Sequence, residues 1–363
     1  MRFVPIASRT ADDRRAGPPV RVLASMTALV AGLLTVAGCT GSSSSTATPT
    51  FSDANNVVRV AETPGVGDAP LFIAFQQGLF RQAGLQVRIT NYPTTRQELV
   101  ALRGGKADVA FGDYADMFYA QAQSQGTGSK NLNLVIVADG YDAVANTMEV
   151  LAMPSRPGHP AIVTPQDLRG KTVGTAQAGV MPSNVRGQPY SLDTVATHSV
   201  LTNNSVKPSS INWKQVPPEG PDGMIAQLAD GRVDAILATE PTIFQAESQL
   251  GAVPVLDSCT GATSNLPLDG YFSTRAFAGA HHSKLTAFRT VLYKAQALAD
   301  NQSEPVRTTL EGSEGMSVED ASLLTIGQYP TTVSVNDLQR VISLMFSFNA
   351  IPSQPSVKAM IFH

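Results

Sequence analysis

Three carboxylates, Asp68, Asp113 and Glu240, stand behind short apolar runs, where helix-forming residues begin. A carboxylate placed there can accept hydrogen bonds from the donors of a bound molecule, or from the free N–H groups of the helix that follows. Tyr114 adjoins Asp113. Tyr141 follows the apolar run 132–137 in what reads as a loop, where its ring can stack on a planar ligand or pack locally. Ala69-Pro70 after Asp68 and Pro241 after Glu240 fit helix starts or turns equally well, so the capping alternative stays open at each. Residues for other chemistry are sparse. The two cysteines, Cys39 and Cys259, exclude a disulfide framework. His281 and His282 form a surface pair, while His159, His198 and His363 are scattered without metal-ligand spacing. There is no nucleophile elbow, no HExxH and no phosphate-binding loop. The expectation is a protein that is not an enzyme and holds neither metal nor cofactor.

The elements that must position these residues begin after an N-terminal export signal. Five arginines lie within the first 21 residues, followed by an uncharged run from Val22 to Gly38. A basic start and an apolar run of this length read as a signal peptide over 1–38. The run ends in Val36-Ala37-Gly38-Cys39, which resembles a bacterial lipobox, where the cysteine thiol receives a diacylglyceryl group. Residues 39–56, rich in Ser and Thr, then read as a flexible, lipid-anchored tether. The expected location is extracytoplasmic, held at the membrane through Cys39. Cleavage before Cys39 removes five Arg and two Asp, leaving 325 residues with a net charge of −6 in place of −3. With 43% apolar residues there is material for a sizeable core, and no basic excess suggests nucleic acid.

Beyond residue 56, short strand patterns alternate with helical ones: strands at 57–60, 85–89, 132–137, 148–152 and 171–174, and amphipathic helices from Lys284 onward and over 335–346. One unit recurs. Leu102, Gly105, Lys106 and Asp108 are matched 126 residues later by Leu228, Gly231, Arg232 and Asp234. Each copy reads as helix, glycine C-cap and buried strand, with the aspartate serving the turn. Two copies so far apart imply two lobes of like construction. Trp213 and Cys259 are assigned to packing.

Four segments together resemble the solute-binding proteins of ABC importers for nitrate, alkanesulfonates, taurine and thiamine-pyrimidine precursors. They are Ala74 to Val87, Gly105-Lys-Ala-Asp-Val-Ala110, Thr164 to Gly174, and Leu228 to Ala235 with Glu240-Pro241. Thr239 stands where that family often has Trp. The resemblance implies an α/β fold of two lobes, each a mainly parallel sheet flanked by helices, joined by crossover strands. Lobe one spans 57–151 plus 264–363 and lobe two 152–263. It also implies a small-molecule ligand in the cleft and, as partners, an ABC permease and its ATPase. Open α/β sheets bind ligands beyond the carboxyl ends of their strands. Asp113, Tyr114 and Glu240 fall there, Asp68 lies near another strand end, and Tyr141 completes the candidate ligand-binding set. Two carboxylates favour a neutral or cationic ligand, whereas helix N-termini left free would suit an anion. A sensing or adhesive lipoprotein of the same fold, or an enzyme like the thiamine-pyrimidine synthases, are the alternatives. The latter lacks its cysteine-rich iron ligands here.

Overall fold

The computed structural model describes residues 56–124, 132–155, 160–176, 191–217, 223–314 and 316–363. The expected signal peptide, Cys39, the expected tether up to residue 55, and His159 lie outside the described residues. Ten strands are present among those described: β1 (Val57–Glu62), β2 (Gln86–Asn91), β3 (Val109–Asp113), β4 (Leu134–Ala143), β5 (Met148–Ala152), β6 (Thr172–Thr175), β7 (Asn212–Gln215), β8 (Ala235–Thr239), β9 (Val253–Asp257) and β10 (Leu266–Thr274).

The strands form two sheets of the same plan, ordered β2-β1-β3-β10-β4 and β7-β6-β8-β5-β9. In the first, β1 runs parallel to β2 and β3, while β10 is antiparallel to β3 and β4. In the second, β6 runs parallel to β7 and β8, while β5 is antiparallel to β8 and β9. Four of five strands in each sheet therefore point one way. The odd strand in each is a crossover, because β4 leads into β5 in the other sheet and β9 leads back into β10. This is the two-lobed, mainly parallel α/β architecture expected from the sequence.

Two boundaries differ. Strand β5 belongs to the second sheet, so the first crossover lies at 144–147, not after 151. Its five residues are all buried, and a short run buried on both faces carries no mark of which sheet it joins. Strand β4 continues through Ala143, which puts Tyr141 in a strand, not a loop.

Helices α1 (Ala69–Gln76), α2 (Leu79–Gln82), α3 (Thr95–Arg103) and α4 (Tyr114–Ser124) connect the strands of lobe one. Helices α5 (Leu192–Asn203), α6 (Met224–Ala229) and α7 (Thr242–Leu250) serve lobe two. The C-terminal run, α8 (Arg275–Ala280), α9 (His282–Asn301), α10 (Ser303–Glu314), α11 (Val318–Ala321), α12 (Val335–Ser347) and α13 (Val357–Met360), returns to lobe one. The expected face of α9 is buried, with Leu285, Phe288, Val291, Leu292 and Ala295 inward and Phe288 stacked on Phe80 at 5.2 Å. No helix among the described residues is long and apolar enough to cross a membrane.

The repeated unit is built alike in both lobes. Gly105 and Gly231 have φ of +64° and +68°, the left-handed region that glycine enters without a Cβ penalty. Asp108 N donates to Arg59 O at 2.8 Å, and its carboxylate accepts from Arg59 N at 2.9 Å. Asp234 N donates to Thr172 O at 2.8 Å, and its carboxylate accepts from Thr172 N at 2.7 Å. Each aspartate thus pins the start of its own strand to the neighbouring one, at the end of the sheet opposite Asp113 and Glu240.

Candidate functional site

Asp113 is the last residue of β3. One carboxylate oxygen accepts from Ala115 N in the first turn of α4. The other accepts at 3.1 Å from Leu192 N, the first residue of α5 in lobe two. Glu240 follows β8 and does the same in the opposite direction. Oε2 accepts from Phe244 N in α7 at 3.1 Å, and Oε1 accepts at 3.0 Å from Thr325 N, in the C-terminal run of lobe one. The capping role is therefore realised at both residues, and each adds a bridge between the lobes. Hydrogen bonds of this kind contribute about 0.5–1.5 kcal/mol each, net of the water they replace. The pair is not in strict register, since the repeat offset of 126 sets Asp113 against Thr239, one residue before Glu240.

Asp68 occupies the N-cap position of α1, with Pro70 in the first turn, but its side chain makes no capping bond. It is completely buried, near Tyr271 and Tyr329, whose phenols are raised chiefly by burial with the charge of Asp68 adding to the rise. Tyr114 is also fully buried. Its ring stacks on Phe118 and meets Phe272 edge-on, both at 5.3 Å, and its hydroxyl donates to Asp139 at 2.8 Å. As the first residue of α4 it turns back under β10, where a Cβ on Gly270 would lie 2.5 Å from its ring. Its place is the core of lobe one rather than the cleft surface expected from the sequence. Tyr141 is 6% exposed, its ring 5.5 Å from that of Tyr329, and its hydroxyl accepts from Gly327 N at 2.7 Å. It ties the C-terminal run to β4, so local packing is realised there.

Two acidic residues that the sequence reading did not single out lie on the crossover strands. Asp269 of β10 is in register with Asp113 on one side and Tyr141 on the other. A Cβ on Gly67 would come within 3.0 Å of its carboxylate, so the loop before α1 closes over it. Burial, then the charge of Asp193 in the first turn of α5, push the Asp269 carboxyl up to about 7. Glu149 of β5 is the second, in register with Ala238 and Asp257. Neither sits at a helix start or in a motif, so no local signal could have found them.

Glu149 and Glu240 line a cavity of about 460 Å³ at the carboxyl edge of the second sheet. Glu247, Asp257, Phe244 and, from lobe one, Leu323 also border it. Among the described residues no three His, Cys, Asp or Glu are arranged to hold a metal ion. The first N–H of α5, which would suit an anion if left free, is already taken by the Asp113 carboxylate. His198 of α5 is fully buried between Trp213, 4.9 Å away, and Phe348 of lobe one, 6.2 Å away, and burial pushes its imidazole down to about 3. It packs the lobes together as a neutral ring. Cys259 is buried and free, as expected, and burial pushes its thiol up to about 12.

Comparison with solved structures gives the same fold at low identity. The alkanesulfonate-binding protein SsuA from Xanthomonas axonopodis pv. citri bound to MOPS superposes with a TM-score of 0.64 at 17% identity, covering 84% of this chain and 98% of that one. The periplasmic nitrate-binding protein NrtA from Synechocystis PCC 6803 gives 0.63 at 14%, covering 84% of each chain. The desulfurization enzyme DSZB gives 0.61 at 14%, covering 84% and 96%. None of the curated proteins matches the sequence. A family profile described as NMT1/THI5 like matches residues 67–305, more than half of the chain. Strand order, crossovers and sequence profile agree, and the chain belongs to the NMT1/THI5-like family.

Proposed function

We propose that the protein is an extracytoplasmic solute-binding component, which holds a small organic molecule between its lobes and delivers it to an ABC permease and its ATPase. The observation that carries this reading is the pair of bridges, Asp113 to Leu192 and Glu240 to Thr325. They join the carboxyl edges of two sheets that are connected only by crossovers at 144–147 and 258–265. Two lobes that meet through these bridges and through the packing of His198 against Phe348, over such crossovers, can open and close around a solute.

The enzymatic alternative, favoured by the likeness to DSZB, requires a reactive group. Cys259 is the only cysteine left beside Cys39, and a buried thiol held protonated is a poor nucleophile. Native mass spectrometry on protein purified without denaturation separates the two readings. One small molecule per chain, recovered with unchanged mass after prolonged incubation, is expected. Conversion of that molecule to a product would sink the binding-protein reading.

Anchoring through Cys39 is part of the same proposal, supported by the apolar run and small residues that end at that cysteine. Cys39→Ala is expected to move the protein from the membrane fraction to the soluble fraction, or to leave an uncleaved precursor. Processed protein of the variant that still sediments with membranes would refute it.

A further inference from the structure

The cavity at the carboxyl edge of the second sheet has an unbalanced wall. Four carboxylates border it, from Glu149, Glu240, Glu247 and Asp257, and no Lys, Arg or His among the described residues does. Its volume, about 460 Å³, is that of a small-molecule site. Glu240 has partners in Phe244 N and Thr325 N. Glu149 differs. It is only 3% exposed, on a strand hydrogen-bonded on both sides, yet it borders the cavity. No described residue donates a hydrogen bond to its carboxylate. Its oxygens open onto the cavity, where no donor of a described residue meets them and a donor group of a bound molecule can. Burial pushes its carboxyl up to about 7, with Glu247 of α7, Asp257 of β9 and Glu240 beyond β8 adding to the rise.

The arrangement also restricts what the missing partner can be. An anion would meet four like charges. A metal ion needs ligands converging on one point, and the described carboxylates do not converge in that way. Asn146 and Thr325 add neutral polar groups to the wall, and its apolar part includes Phe244 beside the acids and Leu323, 68% exposed, at the lobe-one side.

We infer that this cavity receives an organic cation, an ammonium, amidinium or guanidinium group paired with Glu149 and Glu247, whose apolar body rests on Phe244 and Leu323. The inference rests on the solute-binding reading and names the class of solute. Leu323 and Thr325 come from lobe one and the remaining wall from lobe two and the crossover, so an occupant touches both lobes and favours their closure.

Three probes with one apolar body test it: benzylamine, benzyl alcohol and benzenesulfonate, each titrated calorimetrically into the purified chain at pH 6 and pH 8. Benzylamine should bind saturably, at least ten-fold tighter than either isostere. Its affinity should be several-fold higher at pH 8, because Glu149 must release its proton to pair with the cation. Glu149→Gln should weaken benzylamine at least ten-fold and remove the pH effect. Should that variant fold poorly, Glu247→Gln, at an exposed helix position, reads the same cavity and should weaken benzylamine several-fold. Benzenesulfonate binding as tightly as benzylamine overturns the cation assignment while leaving solute binding intact. So does benzylamine affinity unchanged in both variants, or no saturable benzylamine binding at all. Failure of the solute-binding reading shows instead as chemical turnover of the co-purifying molecule.

Discussion

The Asp113→Ala, Glu240→Ala double variant is expected to open the two lobes, raising the radius of gyration measured by small-angle scattering. Each carboxylate accepts from the backbone of the opposite lobe, at 3.1 Å and 3.0 Å. A hydrogen bond of this kind contributes about 0.5–1.5 kcal/mol net, so each loss lowers the closed-to-open ratio roughly 2- to 13-fold. A solute that needs the closed form loses apparent affinity by the fraction of chains left closed. Asp113→Asn keeps an acceptor toward Leu192 N and should retain most of the closure. Asp234→Ala is the control. It removes the bond to Thr172 N at the far end of the second sheet, and should lower stability by about 1 kcal/mol without changing the radius of gyration. A double variant as compact as the parent, which also keeps its co-purified solute, would show that the bridges do not govern closure.

The second large effect is on pH. Stability should rise as pH falls from 8 toward 5, the reverse of ordinary acid denaturation. Burial raises the carboxyl of Asp269 to about 7. The carboxyls of Glu98, Asp113 and Asp139 are raised in the same direction, chiefly by burial. A carboxyl whose pKa is higher folded than unfolded binds its proton in the folded state first. Its contribution is fully present below about pH 4, the unfolded carboxyl pKa, and is lost as pH rises through the folded value, about 7 for Asp269. His198 acts oppositely. Its imidazole is pushed down to about 3, so acidification below about 6.5 protonates the unfolded chain alone and costs stability. One histidine is outnumbered by the carboxyls, and each net proton taken up on folding changes stability by about 1.4 kcal/mol per pH unit. Calorimetry at constant ionic strength should show Tm several degrees higher at pH 5.5 than at pH 8, with the gain reduced in Asp269→Asn. A Tm that falls steadily over that range would mean these carboxyls stay ionised in the folded protein.

Much of this architecture was legible before any coordinates. Strand and helix periods placed most elements within a few residues. The repeat foretold two lobes of one plan, because helix, left-handed glycine, aspartate and buried strand all depend on residues within a dozen positions of one another. The turn role of Asp108 and Asp234 follows from the same local residues, with each aspartate marking the entry to a strand. Cys39 and the tether remain statements about sequence. The helix-start positions of Asp113 and Glu240 were also readable, but their second partners were not. Leu192 lies 79 residues from Asp113 and Thr325 lies 85 residues from Glu240, and no periodic signal spans such distances. Only the packing of one lobe on the other decided that these carboxylates bridge. Packing also turned Tyr114 into the core and joined Tyr141 to Gly327. The acids of the crossover strands were least visible of all. Asp269 and Glu149 sit in strands whose burial depends on which sheet they enter, and entry is settled by the whole topology. A charge becomes expensive, and so worth a partner, only when distant elements have taken its water away.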